Sequence, residues 1–536
     1  PKFLRSKLDI SPLMMPLKKS SEDRVYQFLN TKNPCFGGLP GLIADSLPDK
    51  FGTQIINEWF SSHGLSNEQI TPLDRLCYVG KRGMGALEFE PSHQFKELEE
   101  SSILHIEELT KLADSIFNNR ASFQEKLHQE NKSILDILKV GTSAGGAKPK
   151  AIIAYNDMTG EVRSGQINAP EGFHYWLLKF DGTTFMEHDK ITNNPKGIGN
   201  IEYAYYRMAQ SCGINMMESR LLVEHDYSHF MTKRFDREDN GEKLHVQTLA
   251  GIAHYDRDVR HSYEEAFGVM RKMKLSYPQM EEFYRRMVFN VVMRNHDDHT
   301  KNHSFIMNKQ GEWKLAPAYD LCYSYSPSGR WTNRHQMSLN GKRDNFWYND
   351  LIDVANKAGI NRANEIIEKI VDVASHWKEY AKECGVKDSH AKEIEQNLLL
   401  LEKSKFCTPE QNREFEIELW SITSGTITAQ FKQKEELVIN ISIVQRVKAT
   451  GEKVVAPITA IYDNGNGDKG YFNKDNNDNL VATVKESGTV SLSASDSGQY
   501  RFLGFYYMGT IPSSFVVRDY IKSSYATIYA YYEKIN

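Results

Sequence analysis

Apolar residues recur at three- and four-residue steps between 279 and 295, where Met280, Phe283, Met287, Val288, Val291 and Val292 form one stripe; the spacing predicts an amphipathic helix. Residues 97–139 carry the same helical period, with Phe123, Leu127, Ile134 and Leu138 on one face and Gly141 as the stop. A third helical stretch covers 351–403, with a break at Ile360-Asn361. Between 150 and 236 the apolar runs shorten and turn residues bound them. This predicts strands at 151–155, 175–180 and 229–235, a turn at 156–160 and one helix at 201–212. After the 279–295 helix come a polar loop and a hairpin, with strands 304–307 and 313–315 around a turn at 308–311. Residues 1–95 are mixed and dense in turn signals, among them Asn33-Pro34, Gly37-Gly38 and the glycines from Gly80 to Gly85. Beyond 408, strand-like runs such as 437–444 and 454–462 alternate with polar loops such as 463–478, and a separate all-β domain is expected there. No repeat of solenoid length is visible.

Composition narrows the class. A length of 536 residues suggests three or four domains or subdomains. The net charge of −4 lacks the basic excess of a chain that binds nucleic acid by itself, so nucleic acid is not the obvious partner, with a local basic patch or a DNA-binding subunit left open. Six cysteines without a C-x-x-C pair point away from a zinc site and toward reduced thiols and a cytoplasmic location. No apolar run reaches the ~18 residues of a membrane span, and the first residues lack the order of a signal peptide. The start also lacks an initiator Met, which suggests a domain whose first strands precede residue 1.

The chemistry concentrates in Asn295-His296-Asp297-Asp298-His299-Thr300-Lys301-Asn302, between the 279–295 helix and the hairpin. Phosphoryl transfer needs a carboxylate to orient a hydroxyl and take its proton, and hard oxygen ligands to hold magnesium against phosphates. Asp297 and Asn302 keep the Asp-x-x-x-x-Asn step of a kinase catalytic loop, and Asp320 follows the hairpin as the second Asp does. The competing reading of His-Asp-Asp-His is a metal-hydrolase site, and the bland one is a solvated loop.

Three further segments fit the same chemistry. The glycine-rich stretch 141–150 includes Gly145, Gly146, Ala147, Lys148, Pro149 and Lys150. It has a helix before it and a strand after it, the wrong order for a Walker loop but suited to a phosphate-facing loop that leads into strands. Lys179 lies in the 175–180 strand and Glu202 opens the next helix, the pairing of a kinase lysine with its helical glutamate. Lys233-Arg234-Phe235-Asp236 ends a strand and is a candidate hinge, with backbone groups of Lys233 and Phe235 for adenine and Asp236 for ribose.

Taken together, these segments resemble the HipA-type serine/threonine kinases of bacterial toxin–antitoxin systems. Ser11-Pro12-Leu13 with Met15-Pro16-Leu17, and Gly83-Met84-Gly85-Ala86-Leu87, extend the resemblance over about 8–403. It implies an α/β (α+β) two-lobed kinase-like fold: a β-rich N-terminal subdomain at 1–95, an N-lobe at 96–236 and a helical C-lobe at 237–407. The all-β region 408–536 lies outside it. It implies ATP and magnesium as cofactors, Asp297 as catalytic base, and Asn302 and Asp320 as metal ligands. Nucleotide contacts are implied at Gly145 to Lys150, Lys179, Lys233, Arg234, Phe235, Asp236, His299, Lys301, Asn302, Tyr319 and Asp320. Ser143 sits where the family is autophosphorylated, with Thr142 as its neighbour. The implied partners are a protein substrate, an aminoacyl-tRNA synthetase in the best-known members, and a helix-turn-helix, HipB-like antitoxin that carries the DNA contact. A small-molecule kinase and a catalytically silent co-repressor are the alternatives. In the tail, Asp496-Ser497-Gly498-Gln499-Tyr500 resembles a tyrosine corner with Phe502 in place of the usual cysteine, and 463–478 is a polar loop or a calcium site.

Overall fold

The computed structural model describes residues 6, 8–19, 24–62, 64–66, 68–92, 101–118, 132–141, 148–187, 190–193 and 195–401. Beyond these it describes 438–447, 458–463, 469–474, 480–485, 489–494, 500–506, 510–511, 514–516 and 525–534. The chain forms two compact units, Pro1–Glu402 and Lys403–Asn536.

The first unit opens with helices. After a short turn of helix at Gly41–Ala44 come α1 (Lys50–Ser62) and α2 (Pro72–Val79). Phe51, Ile55, Ile56, Trp59 and Phe60 give α1 a buried stripe at helical spacing. Thr71 starts α2 with a capping box closed by Asp74, and Pro72 stands at the first helical position. The expectation of a β-rich 1–95 is therefore corrected: no strand occurs among its described residues. The turn signals bracket short amphipathic helices rather than hairpins.

These helices share one core with α3 (Ile106–Asn118), α4 (Lys132–Val140) and a five-stranded sheet. Of the 97–139 helical face, Phe123 and Leu127 lie outside the described residues; Leu138 is buried. The sheet comprises β1 (Lys150–Asn156), β2 (Val162–Ser164), β3 (Phe173–Lys179), β4 (Ser219–Glu224) and β5 (Tyr227–Lys233), in the antiparallel order β2-β1-β3-β5-β4. Helix α5 (Ile198–Ser211) packs on it. A Cβ at Gly199 would fall 1.9 Å from the Ser228 carbonyl oxygen, so only glycine lets the start of α5 come this close to β5.

The rest of the unit is mainly helical. A three-stranded sheet joins β6 (His245–Thr248), β7 (Ser304–Met307) and β8 (Trp313–Leu315) in the order β8-β7-β6. Around it lie α6 (Tyr263–Lys272), α7 (Tyr277–Val292), α8 (Tyr348–Ala358), α9 (Ala363–Ser375), α10 (Trp377–Glu383) and α11 (Asp388–Asn397). Helix α7 buries Phe283, Met287, Val288, Val291 and Val292 in a core that also takes residues from α6 and from α8 to α11. Gly359, at φ +75°, ends α8 just ahead of the expected break.

In the second unit the described elements are ten strands in a six-stranded and a four-stranded sheet. Tyr500 and Phe502 begin one of them, Tyr500–Tyr506; residues 496–499 and most of 463–478 lie outside the described residues. No helix among the described residues is long and apolar enough to cross a membrane.

Candidate active site

The polar loop after α7 is tied down by its buried members. Asp298 is completely buried and accepts from Tyr263 Oη at 2.7 Å and the Gln336 amide at 2.7 Å, with His335 Nδ1 at 2.9 Å. Burial opposes its ionisation, but His335 and these donors hold its carboxyl below the usual carboxylate range. Tyr263 in turn accepts from Asn290 Nδ2 at 3.0 Å. Asn295 donates to Asn290 Oδ1 at 2.8 Å and to the Asp320 carbonyl at 3.3 Å, and Ser324 Oγ donates to Asn295 Oδ1 at 2.7 Å. The loop and the Asp320 segment are thus two parts of one network.

Anchoring Asp298 presents its neighbours. The Asp297 side chain is 54% exposed, and its amide meets Ser324 Oγ at 3.3 Å. A 3₁₀ turn, Thr300–Asn302, brings Asn302 back so that its Nδ2 donates to the Asp297 carbonyl at 2.7 Å. Buried His299 sets Nε2 3.7 Å from the Asp297 carboxylate. Burial lowers its pKa, against the pull of Asp297.

Asp320 lines, together with Lys301 and Asn302 of this turn, a cleft of about 820 Å³, within the size range of small-ligand sites. Its backbone is left-handed, φ +52°, a conformation non-glycine residues adopt at a cost. Lys179 on β3 is gripped between Asp320 and Glu202 of α5. Burial disfavours both charges of the Lys179–Asp320 pair, yet mutual attraction prevails: Lys179 is held above the usual lysine range, and Asp320, also near Lys150, is lowered to about 2. Lys150 pairs with buried Asp49 at 3.3 Å.

The cleft brings together Lys150, Lys179, Lys233, Arg234, Phe235, Asp236, Lys301, Asn302, Tyr319 and Asp320. The rings of Phe235 and Tyr319 stack at 5.9 Å. Asp297 and His299 sit beside it, joined through Asn302. Lys148 and Pro149 precede β1, with the Pro149 carbonyl accepting from the Phe180 amide at 3.2 Å. Gly145, Gly146, Ala147 and Ser143 lie outside the described residues.

Two expectations meet a different geometry. The Lys233 amide, expected to face adenine, donates to the Glu218 carbonyl at 2.8 Å. Asp236, expected to face ribose, is 1% exposed. Its carboxylate accepts from Arg234 at 2.8 and 2.7 Å, from Arg237 at 3.0 Å and from the Gly85 amide at 2.7 Å, which leaves it knitted into the cleft wall. The hydrolase reading of His-Asp-Asp-His also meets contrary geometry. His296 is buried against His335, rings 4.1 Å apart, and Asp298 is fully engaged in the network above. Sequence reasoning missed Tyr263, Asn290, Asn295, Ser324 and His335 as loop anchors. Asn290, a polar residue inside the apolar period of α7, was the one readable signal.

The HipA N-terminal domain matches residues 1–90 and the HipA-like C-terminal domain matches 142–395, together more than half of the chain. The chain belongs to the HipA family. A protein named "Putative kinase" from Haemophilus influenzae is 25% identical over 209 residues, covering 33% of this chain and 60% of that protein. "Putative kinase Y4dM" from Sinorhizobium fredii is 26% identical over 226 residues, covering 37% and 54%. This HipA-family chain thus spans little more than half the length of these curated relatives. Among solved structures, HipA from the Shewanella oneidensis complex with HipB and operator DNA shares 17% identity at a TM-score of 0.49, over 74% of this chain and 87% of that one. The Helicobacter pylori proinflammatory kinase CtkA shares 14% identity at a TM-score of 0.31, over 52% and 94%.

Proposed function

We propose that this HipA-family chain is an ATP- and magnesium-dependent serine/threonine protein kinase with two lobes around the cleft. In this reading it acts as a cytoplasmic toxin, restrained by a helix-turn-helix, HipB-like antitoxin that makes the DNA contact. The observation that carries the reading is the convergence of Lys179, Glu202 and Asp320 in one cleft, with Asn302 at its edge and exposed Asp297 beside it.

The roles follow from the chemistry of each group. Asp297, open to solvent, accepts the proton of a substrate hydroxyl as its oxygen bonds to the γ-phosphorus and the bond to the leaving ADP oxygen breaks. Lys179 is in place to neutralise phosphate charge, with Glu202 holding it on β3. Asn302 and Asp320 offer the hard-oxygen donor set magnesium prefers: an ionised carboxylate, and an amide whose nitrogen is already engaged by the Asp297 carbonyl. An ion held there supplies charge neutralisation on the phosphates. Ser143 is the proposed site of self-phosphorylation. About two negative charges added there would repel the ATP phosphates and switch the kinase off.

Labelled ATP incubated with the full chain and a cell lysate tests the assignment. A labelled protein band that Asp297→Asn abolishes is expected. A labelled metabolite instead would make the chain a small-molecule kinase, and no transfer at all would leave a silent co-repressor. Mass spectrometry of the same reaction is expected to find phosphate on Ser143; label on the chain only at other residues would remove the proposed switch.

A further inference from the structure

The Gly83-Met84-Gly85 turn belongs to the N-terminal segment, yet it is bound to the strand end that follows Lys233. Arg237 Nη2 donates to the Gly83 carbonyl at 2.7 Å, and Nη1 donates to the Gly85 carbonyl at 2.9 Å and to Asp236. The Gly85 amide returns a bond to Asp236 Oδ2 at 2.7 Å, and Gly85 takes φ +73° to do so. Lys243 adds a second tie, to the Lys81 carbonyl at 2.6 Å and to Glu88 at 2.6 Å. The Arg234, Asp236 and Arg237 side chains are 1%, 1% and 4% exposed, so these are desolvated, charge-assisted bonds rather than surface pairs. Between the two gripped glycines, Met84 lines the cleft with Leu177, Phe230 and Val246.

We propose that Arg237 is a positioning residue for nucleotide binding: it staples the 83–85 turn onto the strand end after Lys233 and so makes Met84 an apolar wall of the nucleotide site. The inference rests on the kinase reading, since it assigns the cleft's occupant as ATP. Arg237 itself touches no substrate; it acts through Met84. The N-terminal segment is then a working part of the site, and whatever displaces the turn weakens ATP binding without touching Asp297, Asn302 or Asp320.

The test uses the full chain with magnesium-ATP, binding measured by calorimetry and turnover by steady-state kinetics, each variant checked first by thermal melting. Arg237→Lys keeps a charge for Asp236 but cannot span both carbonyls; Met84→Ala leaves the staple intact and removes only the wall. Both are expected to raise KM and the dissociation constant for ATP about five- to tenfold while kcat stays within about twofold, the pattern of lost ground-state binding. Should Arg237→Lys fail to fold, Arg237→Gln takes its place as the test of the staple, beside Met84→Ala as the test of the wall. Wild-type protein that binds ATP while Met84→Ala binds it equally well overturns the proposal and leaves the kinase reading standing. Wild-type protein that binds no ATP takes down both.

Discussion

Two adjacent aspartates in the loop after α7 have opposite surroundings. Asp297 is exposed, its carboxylate 3.7 Å from His299 Nε2; Asp298 is fully buried beneath Tyr263, His335 and the Gln336 amide. Removing an acceptor from such a cluster strands its donors. Asp298→Ala is therefore expected to lower unfolding free energy by about 3–5 kcal/mol. Asp297→Asn is expected to stay within about 0.5 kcal/mol of wild type. Urea denaturation of the two variants checks this; equal losses would contradict the division of labour. The spacing of Asp297, Asn302 and Asp320 was legible in the sequence because a motif is a matter of spacing. The task of Asp298 was not, because its partners come from positions 263 and 335–336 and only the folded chain assembles them. The engagement of Asp236 was not legible for the same reason: whether a strand-end aspartate meets a guanidinium depends on where Arg237 and Gly85 come to lie.

At the level of elements, strong periodicity translated well. The stripe on α7, the strands β1, β3 and β5, the helix α5 and the β7–β8 hairpin all stand close to where alternation and three-four spacing put them. The first 95 residues did not yield, because short helices between turn signals give a weak period, and capping at Thr71 was the better cue. Glycine at 199 shows how an element positions chemistry. It lets α5 lie against β5, and Glu202 follows three residues on to meet Lys179. Gly199→Ala, with its Cβ 1.9 Å from the Ser228 carbonyl oxygen, must push the helix start outward. The expected cost is about 1–3 kcal/mol of stability, as for other overpacked sites. A fall in ATP turnover larger than that seen for an exposed control such as Lys378→Ala should accompany it. Unchanged stability and turnover would show that α5 tolerates the shift.

Across the whole first unit, buried neutral histidines stitch distant segments together. The Gly41 amide donates to His254 Nε2 at 2.9 Å, which joins the N-terminal segment to Leu249–Ala253, and the Asp181 amide donates to His229 Nδ1 at 2.9 Å. Each ring must keep a lone pair for that bond. Burial lowers His229, His254 and His303 from the ordinary 6.5 to about 4. Below pH 6.5 the unfolded chain takes up these protons before the folded one does. The contribution is fully present above pH 6.5 and declines as pH falls toward 4. Each ring adds up to about 1.4 kcal/mol per pH unit to that slope. The urea midpoint is expected to drop between pH 7 and pH 5; a flat profile would mean that the imidazoles are protonated in the fold.

The central claim is that the cleft between Asp320 and Asn302 transfers phosphate from ATP with Asp297 as the base. Single-turnover transfer from labelled ATP, measured alongside ATP affinity for wild type and Asp297→Asn, addresses it most directly. The account predicts that Asp297→Asn slows transfer by about 10²–10⁴-fold while ATP affinity stays within about twofold. Transfer by Asp297→Asn at the wild-type rate would contradict it.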